Sequence, residues 1–192
     1  AGELSVLVHA RAVLVKYLLA AGMHPAMTPM VDVKAGKNTI SDDGSGQSVV
    51  VQLNNAYVDA NGNRTEGGEH YDLHFTTTTD HHGTMEVKAT KVKGLAKHFP
   101  TSVQQWRIFR EFREHAMLVR VYLPADGTPT QIIVLHDPVG MVSAGLLCTS
   151  SHVLGGGAVY KLTIDGLNAL EQSEKKLSSS TVDGVNNATV QC

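Results

Sequence analysis

Cysteine is scarce in this chain, with only Cys148 and Cys192 among 192 residues. Two cysteines build neither a disulfide framework nor a cysteine-based metal knuckle, so the choice is between one bridge and two free thiols. Prolines number 6, aromatics make up 5% and charged residues 18%, against 18 glycines and 42% apolar residues. That balance describes a globular chain with ample core, and plentiful Thr, Val, Gly, Ser and Asn favour strands and turns over a helical bundle. A long apolar run is also missing. The nearest approach, residues 4–21, carries His9, Arg11 and Lys16, which make it a poor membrane span, and it lacks the charged leader and cleavage pattern of a signal peptide.

Catalytic signatures are missing as well. No Gly-x-Ser-x-Gly elbow occurs, and Cys148 near His152 has no orienting acid. The surroundings Gly145-Leu-Leu-Cys suit an inert core thiol. Residues 42–48, DDGSGQS, lack the Lys-Ser/Thr pair of a phosphate loop and read as a turn. Asp126, Asp137 and Asp165 fall at strand ends, where turn-forming aspartates are far commoner than calcium ligands. Asn63-Arg-Thr and Asn187-Ala-Thr match the glycosylation sequon, a match short enough to arise by chance.

What is present is a pattern of alternating segments. At this length the chain fits one domain, residues 1–192, long enough to bury a core without staples. Within 1–22, Leu4, Leu7, Val8, Val15, Leu18 and Leu19 recur at helical spacing. This predicts an amphipathic helix that packs either on the core or on a neighbouring subunit. Residues 23–48 are turn-rich, with one short strand at 30–34. A β-rich body over 48–192 follows, with strands at 48–59, 70–79 and 84–92, and later at 117–123, 131–135, 145–150, 158–165 and 188–191. In 70–79, Tyr71, Leu73 and Phe75 alternate with His70, Asp72 and His74, and the turn at Asp80-His-His-Gly leads into 84–92 as a hairpin. Residues 170–180 form either a short helix or a loop.

One helix is inserted into this body near 101–115. Val103, Ile108, Phe109, Phe112 and Ala116 cover one side, with Trp106 at its edge. On the other side, Arg107 with Glu111 and Arg110 with Glu114 stand four apart, a spacing at which they could pair within the helix. The region matters because net charge is −2 while residues 88–120 hold eight of the 16 basic residues against only Glu111 and Glu114. That segment is +6 and the remainder −8, which argues against a uniformly basic nucleic-acid-coating surface and leaves a local band that either attracts a polyanion, complements an acidic neighbour or is a solvated face with ordinary ion pairs. With the helix arginines paired, Lys88, Lys91, Lys93, Lys97 and Arg113 are the candidate nucleic-acid-binding residues.

Ten histidines raise a metal question, and His70, His74, His81 and His82 form the cluster to test. On a strand, His70 and His74 lie about 13 Å apart at roughly 3.3 Å per residue, too far for one ion. Solvated histidines on a wet strand face are the better reading, so no metal, cofactor or catalytic residue is assigned. The alternative is a His-using metal-dependent enzyme or a small-ligand-binding β-barrel; a monomeric binding module is a third class.

The order Phe99-Pro100, Trp106, Phe112-Arg113, residues 119–124, Thr128, Thr130 and Asp137 resembles a segment of the coat proteins of small positive-strand RNA viruses. It spans residues 98–138, about a fifth of the chain. The resemblance implies an antiparallel jelly-roll-like sandwich, here with an N-terminal and an inserted helix, and a non-enzymatic capsid subunit of a virion. Its partners would be other copies of itself in an icosahedral-type shell, with RNA held at the basic band. Two departures accompany it: the chain opens on an apolar helix where many such proteins carry a basic arm, and only 55 residues follow Asp137.

Overall fold

The computed structural model describes residues 2–24, 28–42, 44–54, 57–58, 64–65, 70–125, 130–152, 157–179 and 187–190. The N-terminal segment is a helix in three pieces, α1 (Gly2–Val8), α2 (Ala10–Val13) and α3 (Val15–Ala20). The strands that follow are β1 (Thr28–Asp32), β2 (Lys37–Ser41), β3 (Ser48–Leu53), β4 (Tyr57–Val58), β5 (Arg64–Thr65), β6 (Leu73–Thr77) and β7 (His82–Thr90). A tight helical turn, Lys93–Lys97, leads to β8 (His98–Thr101) and α4 (Val103–Phe112). The chain continues through β9 (Ala116–Tyr122), β10 (Gln131–His136), α5 (Pro138–Ser143), β11 (Leu147–His152), β12 (Ala158–Leu162), α6 (Ile164–Ser179) and β13 (Asn187–Val190).

Eight strands lie side by side in the order β1-β2-β3-β6-β7-β9-β10-β13. Its pairs are antiparallel except β7 with β9 and β10 with β13, which are parallel. A parallel neighbour requires a crossover, and β8 with α4 supplies the one between β7 and β9. β11, β12 and β8 form a second sheet, and β4 and β5 a two-stranded one. The fold is mainly β and mostly antiparallel, as the sequence predicts. A jelly roll divides its eight strands between two facing sheets; here one sheet holds eight and another three, so that division is not seen.

Alternation places a different core on each face of the large sheet. Val49, Val51, Leu73, Phe75, Met85, Met117, Val119, Ile132 and Val134 face the N-terminal helix, whose Val6, Leu7, Ala10, Val13, Leu14 and Leu18 complete that core. On the other face Leu118, Ile133 and Leu135 pack with Phe109 of α4, Met141 of α5, Leu170 of α6 and Phe99, Leu147 and Leu162 of the small sheet. Helix packing thus follows the core alternative. The buried stripe differs from the predicted one, since Leu4, Val8 and Leu19 are exposed. Breaks at His9 and Leu14 let a seam through Leu7, Ala10, Leu14 and Leu18 face the sheet instead.

Other boundaries are corrected. The β-rich body begins at Thr28, because residues 28–41 form the β1–β2 hairpin where only a strand at 30–34 was expected. The β6–β7 hairpin is present with Leu73 opposite Met85 and Phe75 opposite Gly83. The inserted helix is α4 followed by a tight turn, Arg113–His115, within the predicted 101–115. Helix α5 is additional; over residues 170–179 the helix alternative is the one seen, as the end of α6, which already starts at Ile164, so the strand expected over 158–165 stops at Leu162. Among the described residues no helix is long and apolar enough to cross a membrane.

Candidate functional site

The basic band divides when its side chains are placed. Lys88 is not free: its ammonium lies 2.6 Å from Glu86 Oε1 and 3.2 Å from Gln105 Oε1. Arg113 is 3.5 Å from Asp137. Both are therefore structural partners first. Lys91, just past the end of β7, and Lys93 and Lys97, on the turn that follows, are exposed and form no ion pair with a described residue.

Helix α4 changes the balance in the other direction. The predicted Arg107–Glu111 and Arg110–Glu114 pairs are not formed, and Arg107 and Arg110 are exposed. The spacing permits such pairs, but on a solvated face each contributes only a few tenths of a kcal/mol, about 0.3–0.5, against the cost of ordering two long side chains. The cations of this region that are exposed and form no ion pair with a described residue are thus Lys91, Lys93, Lys97, Arg107 and Arg110. The last two are legible in the sequence as basic residues opposite the apolar side of α4, and only the expected pairing removes them from the candidate set.

Helix α4 sits on the sheet through one polar node. Its N-cap is Ser102, whose side chain accepts from the Gln105 N–H while the Gln105 side chain accepts from the Ser102 N–H, a capping box. Gln105 Nε2 also donates to Glu86 Oε1 at 2.5 Å. Glu86 is buried, and burial together with the neighbouring Asp72 charge pushes its carboxyl up to about 7 despite Lys88. Asp72 caps β7 beyond its pairing with β6 by accepting from the Val87 N–H at 2.7 Å, and burial raises its carboxyl too. Sequence alternation places Glu86 on a wet strand face; its burial comes from α4 closing over it.

The histidine cluster does not converge. His70, His81 and His82 are exposed and His74 is half-buried. His82 pairs with Asp80 at 2.9 Å, and His81 stacks on His115 with ring centroids 6.0 Å apart. Among the described residues no three His, Cys, Asp or Glu side chains group to hold a metal ion. Burial lowers the pKa of His74, and that of His136 to about 4. His136 lies on the helix-covered face of β10, and no sequence signal marks it. Cys148 is exposed rather than in the core, with its thiol 3.6 Å from the Lys161 carbonyl; Cys192 lies outside the described residues, as do Asn63, Asp126 and Thr128. Asp137 caps α5 by accepting from the Gly140 N–H, in keeping with a turn-forming aspartate.

The remaining surface feature is the outer edge of the large sheet. Among the described strands β1 pairs with β2 alone, and Met30 is 71% exposed, Val33 50% and Val31 37%. Met30 and Val31 point to opposite faces, so apolar surface flanks the edge on both sides.

No protein-family model, curated protein or solved structure matches this chain.

Proposed function

We propose that this protein is a structural subunit that assembles with copies of itself into a shell around a nucleic-acid genome, a viral capsid protein rather than an enzyme. The β1 edge carries the reading. An edge strand offers unpaired N–H and C=O groups to another chain, and most monomeric proteins blunt or cover it. Here β1 and the residue just past it keep Met30, Val31 and Val33 exposed. Pro29 removes one donor, so contact along the edge would rest on packing of these side chains with a short ladder.

Support for the nucleic-acid part is the cation set of Lys91, Lys93, Lys97, Arg107 and Arg110, on a chain otherwise acidic enough not to coat itself with polyanion. The jelly-roll-like sandwich rests on the resemblance across residues 98–138 alone; a shell subunit needs complementary edges more than one particular sandwich. Sedimentation velocity and electron microscopy of the purified chain test the proposal. Concentration-dependent assembly that Met30→Glu with Val33→Glu abolishes is the expected outcome. A strict monomer across protein concentration, salt and pH overturns it.

A further inference from the structure

The hydrogen bonds of neighbouring strands fix which backbone groups of β1 face outward. The Leu53 N–H donates to the Gly36 carbonyl and the Asp42 N–H to the Gln47 carbonyl, each at 2.9 Å. Both bonds continue the β2–β3 register, so the even-numbered residues of β2 bond to β3, and Lys37, Thr39 and Ser41 bond to β1. Their partners Asp32, Met30 and Thr28 therefore turn their backbone groups inward. Across each planar peptide the carbonyl and the next N–H point oppositely. The outer side of β1 is thus left with the Pro29 carbonyl, the Val31 N–H and carbonyl, and the Val33 N–H.

Along the strand these groups run acceptor, donor, acceptor, donor, a sequence that is its own antiparallel complement. The two groups missing from it would stand opposite each other. Pro29 has no N–H, and the Val33 carbonyl already accepts from the Gly36 N–H at 3.3 Å.

We propose that β1 is a homotypic edge: two copies of this chain join β1 to β1 antiparallel about a twofold axis at Val31, carrying the eight-stranded sheet into the partner. The contact rests on the reading of this chain as a self-assembling subunit, and it specifies how two copies meet. Each Val31 N–H donates to the carbonyl of the partner's Val31, and each Val33 N–H to the carbonyl of the partner's Pro29. The same register sets Pro29, Val31 and Val33, all exposed, against the partner's Val33, Val31 and Pro29, an apolar row along one face. Asn38, paired with Val31, donates to the Leu7 carbonyl, so the end of α1 with its exposed Val8 comes down beside that row.

Charge and donors select this register over its neighbours. A two-residue slide toward the turn sets Asp32 directly opposite the partner's Asp32, and like charges directly opposed destabilise a ladder. The opposite slide sets Val31 against the partner's Pro29 and leaves each Val31 carbonyl without a donor. In the proposed register Asp32 stands opposite the partner's Met30.

Single cysteines in the full chain carrying Cys148→Ser and Cys192→Ser test the contact. Opposed Cα atoms at a hydrogen-bonded position lie about 5.5 Å apart, within disulfide reach, so Val31→Cys should cross-link to its own copy under mild oxidation. Met30→Cys and Asp32→Cys lie roughly 8 Å from their copies, two residues along and one strand across, and should cross-link about tenfold more slowly or not at all. Val31→Pro removes two of the bonds between copies without touching the β2 ladder, and should weaken association about tenfold or more. Cross-linking at position 30 or 32 as fast as at 31, or association of Val31→Pro as tight as the parent's, overturns the contact. Assembly with no cross-link at 31 also overturns it, while the shell reading stands. Dimers cross-linked at 31 that grow no further support the contact and overturn the shell. A strict monomer overturns both.

Discussion

Arg113 and Asp137 both hold positive φ, 49° and 43°, and their side chains meet at 3.5 Å across the junction of α4 and α5. Each residue leaves its helix or strand through a conformation that L-residues avoid, and the pair bridges the two departures. Arg113 is therefore better explained as a joint than as a nucleic-acid contact. At φ 49° and ψ −117° it occupies backbone space that glycine enters with little strain.

The substitutions at this joint should separate conformation from charge. Asp137→Ala removes the α5 cap and places an alanine in a left-handed conformation, for a combined cost of about 2–3 kcal/mol. Asp137→Asn keeps a capping oxygen and tolerates the conformation, so it should cost less. Arg113→Gly should be more stable than Arg113→Ala by about 1 kcal/mol, because both give up an exposed pair and only glycine relieves the backbone. Denaturant unfolding of the four variants measures these differences, and an Arg113→Ala as stable as Arg113→Gly would remove the strain argument.

Glycine at position 83 is set by steric contact rather than by φ. A Cβ there would overlap the Phe75 ring at Cζ and lie 2.6 Å from the His115 carbonyl oxygen. Phe75 is fully buried and paired with Tyr17 at 4.9 Å between ring centroids, so it has nowhere to withdraw. Gly83→Ala should destabilise by about 2–4 kcal/mol, in the range of overpacked or strained core sites. A thermal midpoint close to that of the parent would show that the β6–β7 hairpin can shift to admit a methyl group.

How much of this is legible in the sequence depends on the range of the interaction that decides it. The β6–β7 hairpin is legible because Leu73 and Phe75 alternate with polar residues and the turn lies next to them in sequence. β2 is not, since Lys37–Ser41 contains one large apolar residue, Ile40, and its second buried position is Asn38. Asn38 is inside because its amide donates to the Leu7 carbonyl at 2.8 Å, a partner 31 residues away. The parallel pairing of β7 with β9, and the burial of Glu86 that follows from the intervening crossover, are likewise long-range facts. The arginines of α4 are legible as a solvated face; their pairing with glutamates at permissive spacing is the expectation that fails.

For the cation surface the measurable quantity is salt dependence. Removing one phosphate contact lowers the slope of log affinity against log salt by about 0.7 on single strands and 0.9 on duplex. Lys91→Gln, Lys93→Gln and Lys97→Gln together should lower the slope for single-stranded RNA by about 2. Adding Arg107→Gln and Arg110→Gln should lower it by a further ~1.4. Lys88→Gln is the contrasting variant, since it takes away the cation beside Glu86 and should cost folding stability more than affinity. An unchanged slope in the variant carrying all five lysine and arginine changes would exclude this surface as an RNA contact.

Two buried groups oppose one another in acid. Glu86 is raised from 4.5 to about 7, so its stabilising contribution is fully present below 4.5 and is lost as pH rises through 7. His136 is lowered from 6.5 to about 4 by burial and the Lys16 charge, so its contribution is present above 6.5 and is lost as pH falls through 4. Each changes stability by about 1.4 kcal/mol per pH unit within its window, with opposite sign. Between pH 4.5 and 6.5 the two slopes cancel, and the parent chain should show little pH dependence from this pair. Glu86→Gln exposes the histidine alone, so its stability should climb with pH across that interval. His136→Leu exposes the glutamate alone, so its stability should fall. Unfolding free energies of the two variants at about pH 4.5, 5.5 and 6.5 decide the matter: slopes of the same sign in both would mean that at least one of these groups titrates at its ordinary value.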